Sequence, residues 1–131
     1  VVLFVGDGGF QMTIQELGTI LEYGTAVKIV LLNNNFLGNV RQWQQLFYNG
    51  RFSQTPMVNP DFVAICAAYG IKGENVTERR QLDDAIDRMV RSEHAYLLNV
   101  NIDPTDMIFP MIPLGAAVDE MMINANEMFK L

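Results

Sequence analysis

The sequence predicts an α/β fold in which a parallel sheet carries helices on both faces. Strand-like and helix-like segments alternate from Val1 to about Ile102, and short alternating elements of this kind are joined by crossovers that make neighbouring strands parallel. The chain has 131 residues, of which 50% are hydrophobic and 18% are charged. This length and composition indicate one domain with a buried core, and they differ from the polar, highly charged composition of disordered segments.

The four predicted strands are short apolar segments. Val1–Val5 is wholly apolar and ends at Gly6, a pattern typical of a strand buried on both faces. Val27–Leu32 has the same character and ends in a run of three asparagines. A weaker strand is predicted over Ile71–Val76, and Tyr96–Ile102 is the fourth.

Two helices are predicted in the first half of the chain. Thr13 followed by Glu16 fits a capping box, and Gly24 is a suitable end for the helix that follows. The pattern of residues 40–47 permits another helix, with Trp43 and Phe47 on roughly the same side as Val40.

Two more helices are predicted in the second half. Asn59 and Pro60 suit an N-cap and a first helical position, and this helix is expected to end at Gly70. Thr77 to about Arg91 has an amphipathic pattern. The residues expected to face the core are Leu82, Ile86, Met89 and Val90.

The chain changes character after its last predicted strand. Residues 104–131 contain Pro104, Pro110, Pro113 and five methionines. We therefore predict an α/β domain over residues 1–103 and a C-terminal arm or tail over residues 104–131. Because Val1 already lies in a strand-like run, we also expect the chain to be part of a longer polypeptide.

The net charge, the apolar runs and the single cysteine limit the partners and the cellular location expected for this chain. Nine Lys and Arg residues against fifteen Asp and Glu residues leave a net charge of -6, which disfavours binding to nucleic acid or to anionic membranes. No apolar run approaches the roughly 20 residues of a membrane span. Cys66 is the single cysteine, so no internal disulfide forms, and a cytoplasmic location is expected.

Unusual loops follow the first two predicted strands, at the sheet edge where ligands of parallel α/β proteins bind. They are Gly6–Phe10 and Asn33–Asn39. A Walker A loop is excluded because no Gly-Lys-Ser/Thr sequence is present. A dinucleotide fingerprint is excluded because Gln11 stands where its third glycine is required.

The chemistry of these loops favours a cation together with a phosphate. Glycines at the start of a helix allow backbone N–H groups to approach a phosphate, but Asp7 would repel one, and neither loop contains Lys or Arg. Mg²⁺ resolves this conflict, since it binds carboxylate, amide and phosphate oxygens together. Asp7 and an asparagine of the second loop are the candidate ligands.

The spacing of these residues resembles a known cofactor motif. A Gly-Asp-Gly sequence and an Asn-Asn pair, with 27 positions between Asp7 and Asn34, resemble the thiamine diphosphate motif of thiamine-dependent enzymes. The sequences of 38–48, 51–53 and 59–62 are more discriminating, and they resemble the large catalytic subunits of acetolactate synthases, also called acetohydroxyacid synthases. This resemblance runs from Val1 to about Asp119.

The resemblance implies a thiamine diphosphate-binding fold, truncated at its N-terminal side, with Mg²⁺ held by Asp7, Asn34 and the Phe36 carbonyl. No catalytic residue is expected within this segment. The remaining implied diphosphate-binding residues are Gly8, Gly9, Leu37 and Gly38. The implied substrate-channel candidates are Asn39, Val40 and Trp43, although the helical periodicity alone is equally compatible with Trp43 in the core.

Two positions depart from the family pattern. Many family members carry Ser at the position of Gly9, a change expected to matter little because this residue lies on the side where the backbone binds. Asn39 occupies a position where Met is usual beside the cofactor ring, which affects the substrate pocket.

The resemblance also implies an activity and partners. The enzyme would condense two pyruvates, or pyruvate with 2-oxobutyrate, in branched-chain amino acid synthesis, as a homodimer or tetramer with a small regulatory subunit as a further candidate partner. An activating glutamate and most of an FAD site would lie outside this segment, so the segment alone is expected to be inactive. The alternatives are another thiamine diphosphate-dependent carboligase, oxidase or 2-oxo acid decarboxylase, or a non-catalytic domain that binds a phosphorylated ligand.

Overall fold

The computed structural model describes residues 1–129. The chain divides into two compact units. The first comprises Val1–Leu37 and Pro56–Pro104, and the second comprises Gly38–Thr55 and Thr105–Leu131. The predicted division into residues 1–103 and 104–131 remains a prediction.

The described chain contains six strands, five α-helices and three short 3-10 turns. The strands are β1 (Val2–Gly6), β2 (Lys28–Asn33), β3 (Lys72–Val76), β4 (Tyr96–Asn101), β5 (Met121–Asn124) and β6 (Glu127–Phe129). The helices are α1 (Asp7–Met12), α2 (Leu17–Tyr23), α3 (Gly38–Phe47), α4 (Phe62–Ala68) and α5 (Leu82–Arg91). The 3-10 turns cover Ile14–Glu16, Arg79–Gln81 and Val118–Glu120.

The first unit contains a four-stranded parallel sheet in the order β1-β2-β4-β3. Gly6 of β1 lies opposite Leu32 of β2, and Lys28 of β2 lies opposite Tyr96 of β4. The carboxyl ends of β1 and β2 therefore lie side by side. The predicted parallel α/β architecture is confirmed.

The core of this unit lies on both faces of the sheet. Ile29 and Leu31 of β2 belong to one cluster of buried residues, whereas Val30 between them belongs to another. The first cluster contains residues of α1, α2 and α4, among them Phe10 and Phe62, whose rings meet edge to face at 5.4 Å. The second cluster contains residues of α5. Because successive side chains of a strand point to opposite faces, the predicted helices on both faces are confirmed.

Cys66 is fully buried in the first of these clusters. Burial raises the pKa of its thiol to about 11, because a thiolate is poorly solvated among apolar side chains. The interpretation of Cys66 as a small buried residue is therefore supported by its surroundings.

The prediction that the first strand is buried on both faces is wrong. β1 is an edge strand, and Val2, Leu3 and Phe4 are exposed, Phe4 at 68%. Ile86 and Val90 of α5, which were predicted to face the core, are also exposed. With β1 and neighbouring strands they line an apolar groove of about 630 Å³. The apolar residues of β1 and α5 therefore form a surface that this unit leaves exposed.

Two predicted helix starts also differ from the structure. Asp7 already begins α1, and Thr13 follows that helix, so its hydroxyl donates to the Gly9 carbonyl instead of forming a capping box with Glu16. Asp61, rather than Asn59, is the N-cap of α4 and accepts a hydrogen bond from the Ala64 N–H at 3.0 Å. The expected ends are correct, since Gly24 and Gly70 follow their helices with φ of +60° and +70°, a conformation that glycine adopts readily.

The second unit combines α3 with the segment after Thr105. Strands β5 and β6 pair as an antiparallel hairpin, and Met111 forms a bridge with Met122 of β5. The predicted helix over residues 40–47 is confirmed, and the Trp43 and Phe47 rings pack edge to face at 5.7 Å. None of the helices in residues 1–129 is both long and apolar enough to cross a membrane.

Candidate functional site

The candidate site lies in the first unit, at the carboxyl ends of β1 and β2. The pairing of these strands brings Asp7, directly after Gly6, to the same edge of the sheet as the turn that begins at Asn33. The sequence predicted this juxtaposition from the adjacency of two parallel strands. Its details come from side chains that surround the two loops.

Asp7 is a buried carboxylate, with 2% of its surface exposed. Its Oδ2 accepts a hydrogen bond of 2.6 Å from the Nδ2 of Asn59. Among the described residues, Asp7 takes part in none of the salt bridges, which join Arg and Glu or Asp elsewhere. The buried carboxylate has an amide partner and, within residues 1–129, no cationic side chain beside it, so its negative charge is available to a bound cation.

The turn after β2 is organised by its own asparagine side chains. The Oδ1 of Asn33 accepts from the Asn35 N–H at 3.2 Å, and the Oδ1 of Asn34 accepts from the Phe36 N–H at 3.0 Å. Asn35 has a φ of +56°, a left-handed conformation that asparagine tolerates better than most residues. These local hydrogen bonds turn the chain and end the strand β2.

A second segment of the first unit holds this turn in place. The Met57 N–H donates to the Asn35 carbonyl at 2.8 Å, and Phe36 forms an antiparallel bridge with Pro56. The turn is therefore fixed by main-chain bonds as well as by its side chains.

The glycines after Asp7 differ in the room around them. A Cβ at Gly8 would lie 2.9 Å from the Cδ2 of Leu37 and 3.3 Å from the Sδ of Met57. A Cβ at Gly9 would meet only the Cγ2 of Val5, at an ordinary 3.5 Å. A side chain at Gly8 would therefore displace Leu37 of the second loop, whereas a Cβ at Gly9 would displace nothing.

The other predicted residues belong to the second unit. Gly38 is the first residue of α3, and Asn39, Val40 and Trp43 lie on the same helix. The last three line a pocket of about 830 Å³. The remaining residues lining this pocket are Gln44, Tyr48 and Arg51.

The donor groups fit the implied Mg²⁺. Within residues 1–129 no cluster of three His, Cys, Asp or Glu side chains suits a metal, so a metal here depends on Asp7 together with amide and carbonyl oxygens. Asn34 and the Phe36 carbonyl supply such oxygens on a fixed turn. An all-oxygen set with one carboxylate is typical of Mg²⁺ sites completed by phosphate and water.

Sequence reasoning missed the amides that connect the two loops. Asn59 was interpreted as a helix cap, but its Nδ2 also lies 3.0 Å from the Oδ1 of Asn33 and 3.1 Å from the Oδ1 of Asn35. Gln11 donates to the Oδ1 of Asn59 at 2.7 Å. The one available signal was that Asp61, two residues after Asn59, is an equally good cap.

A family model covers the part of the chain that contains the candidate site. Residues 1–100 match the family described as thiamine pyrophosphate enzyme, C-terminal TPP binding domain. The matched region includes both loops of the candidate site.

Three proteins that are similar to most of this chain are acetolactate synthase subunits. The chain is 46% identical over 123 residues to the acetolactate synthase isozyme 2 large subunit of Escherichia coli, covering 93% of the chain and 22% of that protein. It is 45% identical to the large subunit of Lactococcus lactis acetolactate synthase, covering 92% of this chain and 21% of that protein. It is 41% identical to the mitochondrial acetolactate synthase catalytic subunit of Saccharomyces cerevisiae, covering 88% of this chain and 17% of that protein. The chain spans about a fifth of the length of these relatives.

A solved structure has the same fold. A thiamine diphosphate-dependent 4-hydroxybenzoylformate decarboxylase of Rhodococcus jostii superposes with a TM-score of 0.71 at 24% identity, covering 80% of this chain and 20% of that one. At this identity the similarity concerns the fold alone.

Proposed function

This chain belongs to the family of C-terminal TPP-binding domains of thiamine pyrophosphate enzymes, and we propose that it is the cofactor-anchoring segment of an acetolactate synthase catalytic subunit. The observation that carries this proposal is the identity of 41 to 46% to three subunits of that name across about nine tenths of the chain. The Gly-Asp-Gly and Asn-Asn loops, side by side at one sheet edge, support it chemically.

The proposed reaction joins two 2-oxo acids. The bond between C1 and C2 of one pyruvate breaks and releases CO2, and a new bond forms from its C2 to the carbonyl carbon of a second pyruvate or of 2-oxobutyrate, with uptake of one proton. Bound thiamine diphosphate supplies the electron sink for this chemistry. The contribution of this chain is to hold and orient the cofactor.

Asp7, Asn34 and the Phe36 carbonyl are the proposed ligands of Mg²⁺. Asp7 provides the single negative charge, and burial protects that charge from screening by solvent. Asn34 and Phe36 lie on a turn that main-chain bonds already hold, so little ordering is needed when the metal binds.

Gly8, Gly9, Leu37 and Gly38 are the proposed diphosphate-binding residues. Gly8 and Gly9 lie in the first turn of α1, where backbone N–H groups lack partners within the helix. Such N–H groups can bind phosphate oxygens while the metal neutralises the remaining charge.

Further parts of the proposal concern the complete enzyme. Its FAD is bound mainly outside this segment, and it acts as a homodimer or tetramer in the cytoplasm, with a small regulatory subunit as a candidate partner. Asn39, Val40 and Trp43 contribute to the substrate channel. Since an activating glutamate lies elsewhere in the complete subunit, this chain alone is proposed to be inactive towards pyruvate.

The experiment is a substitution of Asp7 in the complete subunit. We expect Asp7→Ala to weaken thiamine diphosphate binding, measured by calorimetry in the presence of Mg²⁺, by about a hundredfold or more, because the metal loses its charged ligand. Asn34→Ala should act in the same direction but less strongly. The unsubstituted enzyme, with thiamine diphosphate, Mg²⁺ and FAD, should form acetolactate from pyruvate.

Asp87→Ala is the matched control, since it removes an exposed carboxylate of α5. Unchanged cofactor affinity in Asp7→Ala would reject the metal assignment. Release of an aldehyde from a 2-oxo acid, with no acetolactate, would instead indicate a decarboxylase of the same superfamily.

A further inference from the structure

The side chain of Asn59 occupies a central place between the two loops of the candidate site. Its Nδ2 lies within hydrogen-bond distance of three oxygens, at 2.6 Å from Asp7, 3.0 Å from Asn33 and 3.1 Å from Asn35. Asn59 is separated from Asp7 by 52 positions in the sequence. One amide therefore connects the loop after β1 to the turn after β2.

A further hydrogen bond satisfies the oxygen of this amide. The Nε2 of Gln11, in α1, donates to the Oδ1 of Asn59 at 2.7 Å. Because an ionised carboxylate only accepts hydrogen bonds, Asn59 must present its nitrogen to Asp7, and its oxygen is then free to accept from Gln11. Gln11 thus satisfies the Asn59 oxygen in the orientation that the carboxylate requires.

The choice of an amide has a consequence for a metal. A Lys or Arg at this place would neutralise Asp7 and compete with a cation, whereas an amide donates a hydrogen bond and leaves the negative charge in place. Because the hydrogen bond is to Oδ2, it also fixes the rotation of the carboxylate. The position of the other oxygen, Oδ1, is therefore set before any ligand binds.

We propose that Asn59 is a positioning residue that holds the Asp7 carboxylate against the Asn33–Asn35 turn and so prepares the site for Mg²⁺ and the diphosphate. This inference rests on the proposed function, because it takes Asp7 as the metal ligand. Asn59 itself binds neither metal nor cofactor. Its contribution is that the two loops need little rearrangement on binding.

The test uses the complete subunit and measures binding rather than turnover. Calorimetry gives the Mg²⁺ concentration for half-maximal thiamine diphosphate binding, and the unfolding temperature is measured without cofactor. For Asn59→Ala we expect a requirement for Mg²⁺ that is raised by about 10- to 100-fold, as is typical when the partner of a metal ligand is removed. For Gln11→Ala we expect a smaller rise of about threefold, since one neutral hydrogen bond is lost.

Asn75→Ala is the matched control. The Oδ1 of Asn75 accepts a hydrogen bond from Asn99 at 2.7 Å, and Asn99 in turn accepts one from Asn33 at 3.2 Å. This variant therefore removes an amide-to-amide bond of the same chain of asparagines but leaves every bond of Asn59 and Asp7 in place. We expect its Mg²⁺ requirement to stay within about twofold of the unsubstituted protein. A general loosening of the fold would affect Asn59→Ala and Asn75→Ala alike.

Each outcome decides the inference. An Mg²⁺ requirement within about twofold in Asn59→Ala, or an equal rise in Asn75→Ala, would overturn it. If Asn59→Ala does not fold, the comparison of Gln11→Ala with Asn75→Ala decides instead, and equal values overturn the inference. Asp7→Ala in the same series separates the two proposals. If this variant retains cofactor affinity, the metal assignment fails, and the inference about Asn59 fails with it. If Asp7→Ala loses binding and Asn59→Ala does not, only the role of Asn59 is rejected.

Discussion

The side-chain amide of Gln42 makes two hydrogen bonds to the backbone of Ile108. Its Nε2 donates to the Ile108 carbonyl at 3.0 Å, and its Oε1 accepts from the Ile108 N–H at 2.8 Å. Gln42 is 6% exposed although it is a polar residue of a helix. The amide replaces the strand partner that Ile108 lacks, and it joins α3 to the C-terminal segment within the second unit.

Replacement of Gln42 should therefore destabilise the second unit. Gln42→Ala removes both hydrogen bonds of a buried side-chain amide, and at about 0.5 to 1.5 kcal/mol for each bond this costs about 1 to 3 kcal/mol. The free energy of unfolding, measured by urea denaturation, checks this. Gln45→Ala, at an exposed position of the same helix, should change it by less than about 0.5 kcal/mol, and equal effects of the two variants would contradict the prediction.

Gly8 and Gly9 should respond differently to the same substitution. Gly8→Ala pushes against the Leu37 side chain at 2.9 Å, so we expect cofactor affinity in the complete subunit to fall by about tenfold as Leu37 moves. Gly9→Ala meets only an ordinary contact, and it should leave affinity unchanged and stabilise α1 by about 0.5 to 1 kcal/mol. Calorimetry and thermal unfolding of both variants test the difference. An equal loss of affinity in both would show that packing against Leu37 is not the reason for Gly8.

Trp43 should affect substrate choice more than cofactor binding. It lines the pocket on α3, so Trp43→Leu in the complete subunit is expected to change the ratio of 2-oxobutyrate to pyruvate products, or sensitivity to an inhibitor, by about threefold or more. Cofactor affinity should change less. Phe47→Leu is the control, because it removes the other ring of the same aromatic pair but does not alter the pocket lining. A loss of cofactor affinity or stability without a change in substrate choice would place Trp43 in the core.

Glu74 should make stability depend on acidic pH. Two hydrogen bonds from Arg88, at 2.9 and 2.7 Å, are the main cause that lowers its pKa below 4.5, and a bond from the Tyr96 hydroxyl adds to them against the opposing effect of burial. A carboxyl whose pKa is lowered by folding contributes stability above its unfolded pKa, and this contribution disappears as the pH falls through the folded value.

The comparison is Glu74→Gln, measured as the unfolding temperature at a series of pH values. The unsubstituted protein should be more stable above about pH 5, and the two should converge in acid. The difference should be small and should shrink in high salt, since Arg88 is exposed. A difference that does not vary with pH would contradict the assigned role of the carboxylate.

The sequence by itself determined the order of the elements and the chemistry of the two loops. Apolar runs ending at Gly6 and at Asn33 predicted two parallel strands, and the observed pairing of β1 with β2 agrees. These signals are local, because the residues that carry them are neighbours in the chain. The same is true of the glycines that end α2 and α4.

Only the tertiary structure decided which side chains serve those loops and which surfaces are covered. Val2 and Phe4 have the composition of a central strand, yet β1 has a neighbour on one side only. Asn59 and Asp61 are equally good caps by residue type, and the choice depends on Asp7, which lies 52 positions before Asn59. Periodicity reports how a segment folds on itself, whereas burial and hydrogen-bond partners depend on segments that only the folded chain brings together.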